Sequence, residues 1–289
     1  MFYDEEMVLD FRLNFLNNNI DKFVIVESIY THSGKKRKLL FDINKYSKFK
    51  NKIKYIVIED EPSDLYKIDG TENFDEKNSK YILNALKREN FQRNQILRGL
   101  NEALPEDFII ISDVDEIPNL QEINFKKNEN KIILFNQKFF YYKFNLKLQN
   151  FDWYGSKACK MANLNSPQWL RNIKSKKYPF YRIDLFFSDV KYSNIKFINN
   201  GGWHFTNIKT AEQIKHKFES YLHHREFDIN PLTVLDIEKL IENKTAIYDL
   251  NLDKRIEKIG HGSKLMKYDI ENLPDYLRNN LQKYKKWID

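Results

Sequence analysis

The sequence predicts an α/β fold in which a mainly parallel sheet is flanked by helices. Three short apolar runs rich in β-branched residues predict strands at 23–26, 53–58 and 108–111, and acidic residues follow each run closely. A helical stripe at 79–104 separates the second run from the third. The order strand, crossover, strand, helix, strand is typical of doubly wound sheets. We therefore expect a nucleotide-binding type of sheet over the first ~120 residues.

The other elements follow from similar patterns along the chain. Residues 4–17 predict a helix, because acidic residues precede its apolar ones and suit the helix dipole. After Pro118, strands are predicted at 132–135, 138–148, 181–187 and 192–198, and helices at 210–227 and 233–289. We expect residues 1–230 to form one main domain and residues 231–289 to form a helical extension packed on it.

Composition narrows the classes of function. With 289 residues and 42% hydrophobic residues, the chain is long and apolar enough to bury a sizeable core. The net charge is +7, but 48 basic residues are interleaved with 41 acidic ones and no nucleic-acid recognition module is recognisable, so we expect no nucleic-acid partner. We find no signal peptide or transmembrane pattern, and Cys159 is the only cysteine, so we expect a cytoplasmic protein. Its basic surface favours peripheral association with anionic membranes.

Two aspartates, Asp113 and Asp115, stand one residue apart just after the third predicted strand. The apolar run stops abruptly there, and Pro118 closes the segment because proline has no donor for a strand ladder. Buried carboxylates must be paired, hydrogen-bonded or bound to a cation, and open α/β sheets bind ligands at the carboxyl ends of their strands. Side chains two residues apart can share one hard cation, such as Mn²⁺ or Mg²⁺.

The residues of this stretch leave three interpretations open. It can be a solvated turn, since Asp and Pro are common in turns, or a metal site that faces a nucleotide diphosphate. It can also belong to a haloacid-dehalogenase-like phosphatase, with Asp113 as the nucleophile and Asp115 as the acid. The phosphatase interpretation lacks the expected glycine after the second aspartate, where Glu116 stands. Motifs of the types GxSxG, GxxxxGK[ST] and GxGxxG are absent from the sequence.

A second unusual segment is Gly201-Gly202-Trp203-His204. Paired glycines let a backbone approach a ligand closely, and an imidazole can supply a further metal ligand. A lone histidine more often only stabilises the fold, so that interpretation stays open. The histidines downstream lack the HExxH spacing of a zinc site, and an aspartate pair favours Mn²⁺ or Mg²⁺ over zinc.

Five motifs occur in order along the chain: Phe23 to Glu27 with residues 31–34, Glu89 to Asn94, Ile111 to Pro118, Gly202 to Phe205, and His224 to Phe227. Together they resemble glycosyltransferase family 17, the family of the β-1,4-mannosyl-glycoprotein 4-β-N-acetylglucosaminyltransferases. The resemblance covers residues 2–230. Each motif alone is weak, whereas the ordered set is specific.

The resemblance implies a GT-A fold, inversion at the anomeric carbon, and Mn²⁺ or Mg²⁺ at an Asp-x-Asp motif. The implied donor is a nucleotide sugar, with UDP-GlcNAc expected. The family's acceptor is not carried over, and we expect a glycan or a lipid-linked saccharide in that role. A carbohydrate-binding protein without turnover is the non-enzymatic alternative.

The resemblance also implies roles for individual residues. The metal ligands would be Asp113, Asp115 and His204. An inverting transfer needs a carboxylate that takes the acceptor proton, for which Glu116 and Glu226 are the candidates. The residues expected to contact the nucleotide sugar are Glu27, Arg93, Asn94, Asp113, Gly202 and Trp203.

Overall fold

The computed structural model describes residues 1–221, 227–228, 231–248, 260 and 262–289. The α-helices in these residues are α1 (Glu6–Leu16), α2 (Phe74–Asn94), α3 (Pro167–Asn172), α4 (Ala211–Phe218), α5 (Val234–Glu242), α6 (Asp275–Asn279) and α7 (Leu281–Tyr284). The strands are β1 (Phe23–Ser28), β2 (Ile53–Ile58), β3 (Phe108–Ile111), β4 (Glu116–Pro118), β5 (Ile132–Phe135), β6 (Lys138–Tyr141), β7 (Leu146–Leu148), β8 (Lys157–Lys160), β9 (Ile195–Ile198), β10 (Gly202–Thr206) and β11 (Leu265–Lys267).

The strands form three sheets of mixed direction. β1 and β2 pair in parallel, a five-stranded sheet has the order β11-β7-β6-β10-β4, and a four-stranded sheet has the order β3-β8-β5-β9. The mixed α/β architecture is confirmed. The expectation of a mainly parallel sheet is wrong, because five of the eight strand pairings in the described residues are antiparallel. One reason is that the predicted strand at 138–148 is two strands, β6 and β7, which turn back on each other within a few residues, as only antiparallel neighbours can.

Four of the described helices, α2 to α5, begin with a side-chain cap. Asn73 accepts from the backbone N–H of Glu76, and Glu76 reaches back to the backbone of Asn73, which starts α2 with a capping box. The short helix α3 begins with Pro167 after a capping Ser166. These caps fix where each helix enters the fold, and α2 and α3 both carry arginines that matter below.

β3 lies between two apolar clusters. Ile109 and Ile111 pack into a cluster that also contains Leu170 of α3, and Phe108 and Ile110 pack against the cluster around α1. Because apolar side chains cover both faces of β3, packing fixes the position of this strand. The acidic residues after β3 are therefore held at a defined place in the fold.

The C-terminal residues pack into the same core. Leu277 and Tyr284 are fully buried in the cluster that contains Phe11 of α1. The prediction of continuous helix over 233–289 is wrong at β11, which pairs antiparallel with β7 and adds an edge to the five-stranded sheet. The short helices α6 and α7 follow that strand.

The predicted strand at 181–187 is also wrong. These residues form a loop with a single 3-10 turn at Ile183–Leu185, and no strand of the described chain pairs with them. Tyr181, Ile183, Phe186 and Phe187 are exposed, which an apolar run does not predict. Among the described helices, none combines the length and the apolarity needed to cross a membrane.

Candidate active site

A cleft of about 390 Å³ opens beside the residues that follow β3. One wall is formed by the turn at 113–116 and by His204 of β10. The lining also includes His32 after β1 and Glu89 of α2. Tyr3 and Tyr30 add aromatic surface at the cleft. The cleft thus has apolar surface and a few convergent polar groups, as small-molecule sites do.

The turn at 113–116 is fixed by its own hydrogen bonds and by Arg12 of α1. The backbone N–H of Asp113 donates to Oε2 of Glu116 at 2.9 Å, and the backbone N–H of Glu116 donates to the carbonyl of Asp113 at 3.1 Å. The Arg12 guanidinium donates to the carbonyls of both residues. The backbone N–H of Phe205 donates to the carbonyl of Asp115 at 2.8 Å, which ties the turn to β10.

Two arginines hold the first aspartate. Arg171, near the end of α3, donates from Nη2 to Oδ2 of Asp113 at 2.8 Å, and Arg93 of α2 donates to Oδ1 at 3.3 Å. Burial alone would raise the pKa of Asp113, but the charges of Arg171 and Arg93 outweigh it and hold the pKa well below its ordinary value. Asp113 is therefore ionised, and each of its oxygens accepts from an arginine.

Glu116 is fully buried and its carboxylate is saturated with donors. Arg171 donates to Oε2 at 2.7 Å and to Oε1 at 2.6 Å, in the forked geometry that a guanidinium offers a carboxylate. The indole Nε1 of Trp153 donates to Oε1 at 2.8 Å. A Cβ at Gly155 would lie only 2.0 Å from Oε1 of Glu116, so this position needs glycine for the carboxylate to fit.

Asp115 differs from its neighbours because it faces a histidine. Its Oδ2 lies 3.3 Å from Nε2 of His204. Burial alone would raise the pKa of Asp115, but the His204 imidazole outweighs that effect and lowers it. The His204 ring stacks on Trp153 at 5.1 Å between ring centroids. Its Nδ1 is buried and has no hydrogen-bond partner among the described residues.

Strand alternation explains why His204 reaches the cleft. Successive side chains of β10 point to opposite faces, so His204 and Thr206 line the cleft whereas Trp203 and Phe205 pack in the core around α1. Gly202 has φ of 124°, and a Cβ there would meet the carbonyl of Ile117, so it serves the close approach of β10 and β4. Neither Gly202 nor Trp203, both predicted to contact the nucleotide sugar, lines the cleft.

A further carboxylate, Glu89 of α2, lines the cleft with one oxygen unused. Its Oε1 accepts from Nη2 of Arg93 at 2.7 Å. Its Oε2 is buried and has no hydrogen-bond partner in the part of the chain that the structure describes. A buried carboxylate oxygen without a donor is costly unless a ligand or a proton completes it.

Glu27 and Asn94 lie outside the cleft lining. The oxygens of Glu27 accept from Arg37, from the backbone N–H groups of Leu40 and Phe41, and from the hydroxyl of Tyr55. Asn94 accepts from the backbone N–H of Gln168, at the first turn of α3. Glu226, the second predicted base, lies outside the described residues.

The structure also shows site residues that sequence reasoning missed. Arg12, Trp153 and Arg171 all contact the 113–116 turn, yet each comes from a different part of the chain. The start of α3 is visible in the sequence as Ser166-Pro167, but no local signal distinguishes Arg171 from an exposed helical arginine. Glu89 belongs to a motif that the sequence does display, although nothing there assigns it a role.

The donor set suits a cation that is shared with a ligand. Among the described residues, no group of three His, Cys, Asp or Glu side chains could hold a metal ion. Mg²⁺ is commonly bound through one or two carboxylates together with substrate phosphates and water. Asp115 with His204 offers such a partial set, whereas the oxygens of Asp113 accept from arginines. The residues therefore fit a metal completed by substrate and do not fit an all-protein metal site.

Comparison with known proteins gives one family. The family model described as Glycosyltransferase family 17 matches residues 1–288. No curated protein and no solved structure matches the chain. The match covers the cleft and every element around it.

Proposed function

The chain belongs to glycosyltransferase family 17, and on that premise we propose that it transfers GlcNAc from UDP-GlcNAc to a glycan hydroxyl with the help of a divalent metal. The family establishes a glycosyltransferase, which implies a nucleotide-sugar donor and a glycan acceptor. The observation that carries the finer proposal is the pairing of ionised Asp115 with His204, beside two buried arginines. Asp115, His204 and Arg171 line the same cleft, and Arg93, which lies outside the lining, pairs with Asp113 at the cleft.

The arginines support a diphosphate site. Arg93 and Arg171 both donate to the carboxylate of Asp113, and a guanidinium donates to phosphate oxygens as it does to carboxylate oxygens. A diphosphate near this cleft would compete with Asp113 for the same donors. We assign the donor phosphates to this arginine pair.

Asp115 and His204 are the proposed protein ligands of Mn²⁺ or Mg²⁺. A bound cation would supply Lewis-acid stabilisation of charge on the departing diphosphate. Asp113 was predicted as a third ligand, and it would serve as one only after giving up an arginine. Trp153 stacks on His204 and fixes its ring, which keeps Nε2 directed at Asp115.

The base is proposed to be Glu89. In an inverting transfer the acceptor oxygen bonds to the anomeric carbon, the bond to the diphosphate oxygen breaks, and a carboxylate takes the hydroxyl proton. Glu116 was predicted for this role, but both of its oxygens already accept from Arg171. Glu89 lines the same cleft and has an unpartnered oxygen. Glu226 stays a prediction.

Thermal unfolding with nucleotide sugars tests the donor. A ligand present at about 100 times its dissociation constant stabilises a protein by about 2.7 kcal/mol, so UDP-GlcNAc with Mn²⁺ should raise the melting temperature measurably. The shift should shrink without Mn²⁺, and GDP-mannose serves as the mismatched control. If neither UDP nor any nucleotide sugar shifts the melting temperature, the donor site is wrongly assigned.

An assay of UDP release separates turnover from binding. UDP-GlcNAc with Mn²⁺ should yield UDP, and Glu89→Gln should slow the release without abolishing the thermal shift. Phosphate release from simple phosphate esters would instead support the phosphatase alternative. Sugar binding without any turnover would support a carbohydrate-binding protein.

A further inference from the structure

A loop at residues 174–191, which we call the basic–aromatic loop, exposes large apolar side chains that nothing in the described chain covers. Phe180, Phe186 and Phe187 are 80%, 80% and 86% exposed, and Tyr181 and Ile183 are 72% and 73% exposed. They fall within eight consecutive residues. Single exposed apolar residues are ordinary on a protein surface, whereas a contiguous set marks an interaction site.

The loop is held in place at both ends. The backbone N–H of Lys174 donates to the carbonyl of Val190 at 2.8 Å, and the indole Nε1 of Trp169 donates to the carbonyl of Asp189 at 2.6 Å. Inside the loop, the N–H of Arg182 donates to the carbonyl of Pro179 at 3.2 Å. The exposed side chains therefore belong to a surface loop whose ends are joined by hydrogen bonds.

Basic residues surround the apolar ones. The loop carries five basic residues against two acidic ones. One of the acids, Asp184, is already bridged by Arg182 at 2.8 Å and by Lys191 at 2.9 Å. The three basic residues at the start of the loop are Lys174, Lys176 and Lys177, and all three are exposed. The loop thus presents apolar side chains beside a positive surface.

We propose that the basic–aromatic loop binds the interfacial region of an anionic lipid bilayer. Aromatic and aliphatic side chains favour the boundary between head groups and acyl chains, and nearby lysines are attracted to anionic lipids. A second copy of the chain is a poorer partner, because a symmetric contact would bring two positive loops together. A saccharide is also a poorer partner, since the phenylalanines and Ile183 offer no hydrogen-bonding atoms to its hydroxyls.

The loop is joined directly to the helix that supplies Arg171 to the cleft. Only Ile173 separates α3 from Lys174, and the buried Nζ of Lys157 donates to the carbonyls of Arg171 and Ile173 at 2.6 Å and 2.5 Å. Binding at the loop would therefore tether the protein through an element that reaches the cleft. If the proposed transferase function holds, an acceptor carried on a lipid would be concentrated at the same surface.

Vesicle co-sedimentation of the full chain, without any donor sugar, tests the proposal. The protein should bind vesicles of phosphatidylcholine with about 30% phosphatidylglycerol and should not bind phosphatidylcholine alone. The triple variant K174Q/K176Q/K177Q should bind about 100-fold more weakly, at roughly fivefold per lysine. The variant F180S/F186S/F187S should lose at least about tenfold in binding, because its apolar contribution is removed.

A matched control and a second measurement keep the outcome interpretable. The variant F74S/L235S removes two side chains that are also about two-thirds exposed, at 68% and 66%, but lie outside the loop. It should bind vesicles like the original protein. Separately, a Phe186→Trp variant should show tryptophan emission that is quenched by lipids brominated in the upper acyl chain.

Three results would overturn the proposal. One is absence of binding to the anionic vesicles, and another is equal loss of binding in F74S/L235S and in F180S/F186S/F187S. The third is sedimentation of the original protein as a dimer that F180S/F186S/F187S converts to a monomer, with vesicle binding unaltered. Because no step of this test uses a nucleotide sugar, its failure would leave the proposed transferase function untouched.

Discussion

Two buried glutamates, Glu27 at the end of β1 and Glu116 in the turn after β3, look alike in the sequence and differ in their surroundings. Both follow apolar β-rich runs and both are fully buried. Glu27 accepts from Arg37, from Tyr55 and from two backbone N–H groups, which fixes the chain near residue 40. No residue next to it faces the cleft with a free acceptor.

Glu116 is equally saturated, but it fixes a turn that holds other acids in the cleft. Arg171 joins Glu116 to Asp113, and the turn directs Asp115 at His204. The comparison shows that a carboxylate whose oxygens all accept hydrogen bonds can hold a site in shape. A neighbouring carboxylate that still has oxygens available is the one that can bind a ligand or take a proton. Asp115, next to Glu116, lies in the cleft where it can bind a ligand, whereas Glu27 has no acidic neighbour in the cleft.

The largest expected effect is that of Asp115→Asn on turnover. The change keeps the shape of the side chain and removes its charge, so the proposed metal site loses its only carboxylate that is not held by arginine. We expect kcat/KM for UDP-GlcNAc turnover to fall about 1,000-fold, which corresponds to about 4 kcal/mol. UDP release measures it, and the melting temperature should change little.

The matched control for that variant is Asp64→Asn, which removes an exposed carboxylate outside the cleft lining. It should turn over like the original enzyme. If Asp115→Asn keeps turnover within about threefold of the original, Asp115 does not serve the transition state.

The next effect is structural and concerns Arg171. Arg171→Met would leave the Glu116 carboxylate buried with its forked partner gone and would remove a donor from Asp113. Breaking a buried ion pair by removing one partner costs about 3 kcal/mol, so we expect a loss of that size in the free energy of unfolding. Urea unfolding measures it. Arg171→Lys should recover only part, because an ammonium cannot form the fork.

An unfolding free energy for Arg171→Met within about 1 kcal/mol of the original would contradict this assignment. It would mean that the hydrogen bonds from Trp153 and from the backbone of Asp113 are enough to keep Glu116 buried without Arg171.

Glu27→Gln tests whether Glu27 serves only the stability of the fold. The amide would place a donor against the N–H and O–H groups that now donate to Glu27, so we expect a loss of about 2 kcal/mol in the free energy of unfolding. At a temperature where the variant is folded, kcat/KM should stay within about threefold of the original. A drop of more than about tenfold in a folded variant would instead support the sequence-based prediction that Glu27 contacts the nucleotide.

Much of the framework was predictable because local patterns determine it. The predicted strands 53–58, 108–111 and 132–135 match β2, β3 and β5 residue for residue, since each is a short apolar run with a clear end. Strand pairing was not predictable to the same degree. Whether β3 pairs with β1 or with β8 depends on packing between distant segments, and no local period reports it.

The candidate site divides in the same way. Asp113, Asp115 and His204 were predicted together, and the structure brings them into one cleft. Arg171 and Trp153 were not predicted as site residues, because their contacts with Glu116 arise from tertiary packing. The sequence also does not show that the carboxylate oxygens of Glu27 and Glu116 are already hydrogen-bonded, because their donors come from distant parts of the chain.

The smallest expected effect, counted for a single pH unit, is a pH dependence of stability that comes from Lys157 on β8. Burial lowers the pKa of Lys157 to about 7, from an ordinary value of 10.5, and the nearby charge of Arg171 adds to the shift. Between these two values the unfolded chain binds more protons at this lysine than the folded protein does. The free energy of unfolding should therefore rise with pH across that window, by up to about 1 kcal/mol per pH unit. Below pH 7 Lys157 should destabilise the folded protein most.

The measurement is urea unfolding at a series of pH values, with Lys157→Met compared against the original protein. The variant should lack the part of the slope that Lys157 contributes, so the difference between the two proteins should change with pH. Lys38→Met, at an exposed position, should run parallel to the original. A constant difference for Lys157→Met would mean that the two carbonyls it binds hold the ammonium charged, and that Arg171 is positioned by a cation and not by a neutral amine.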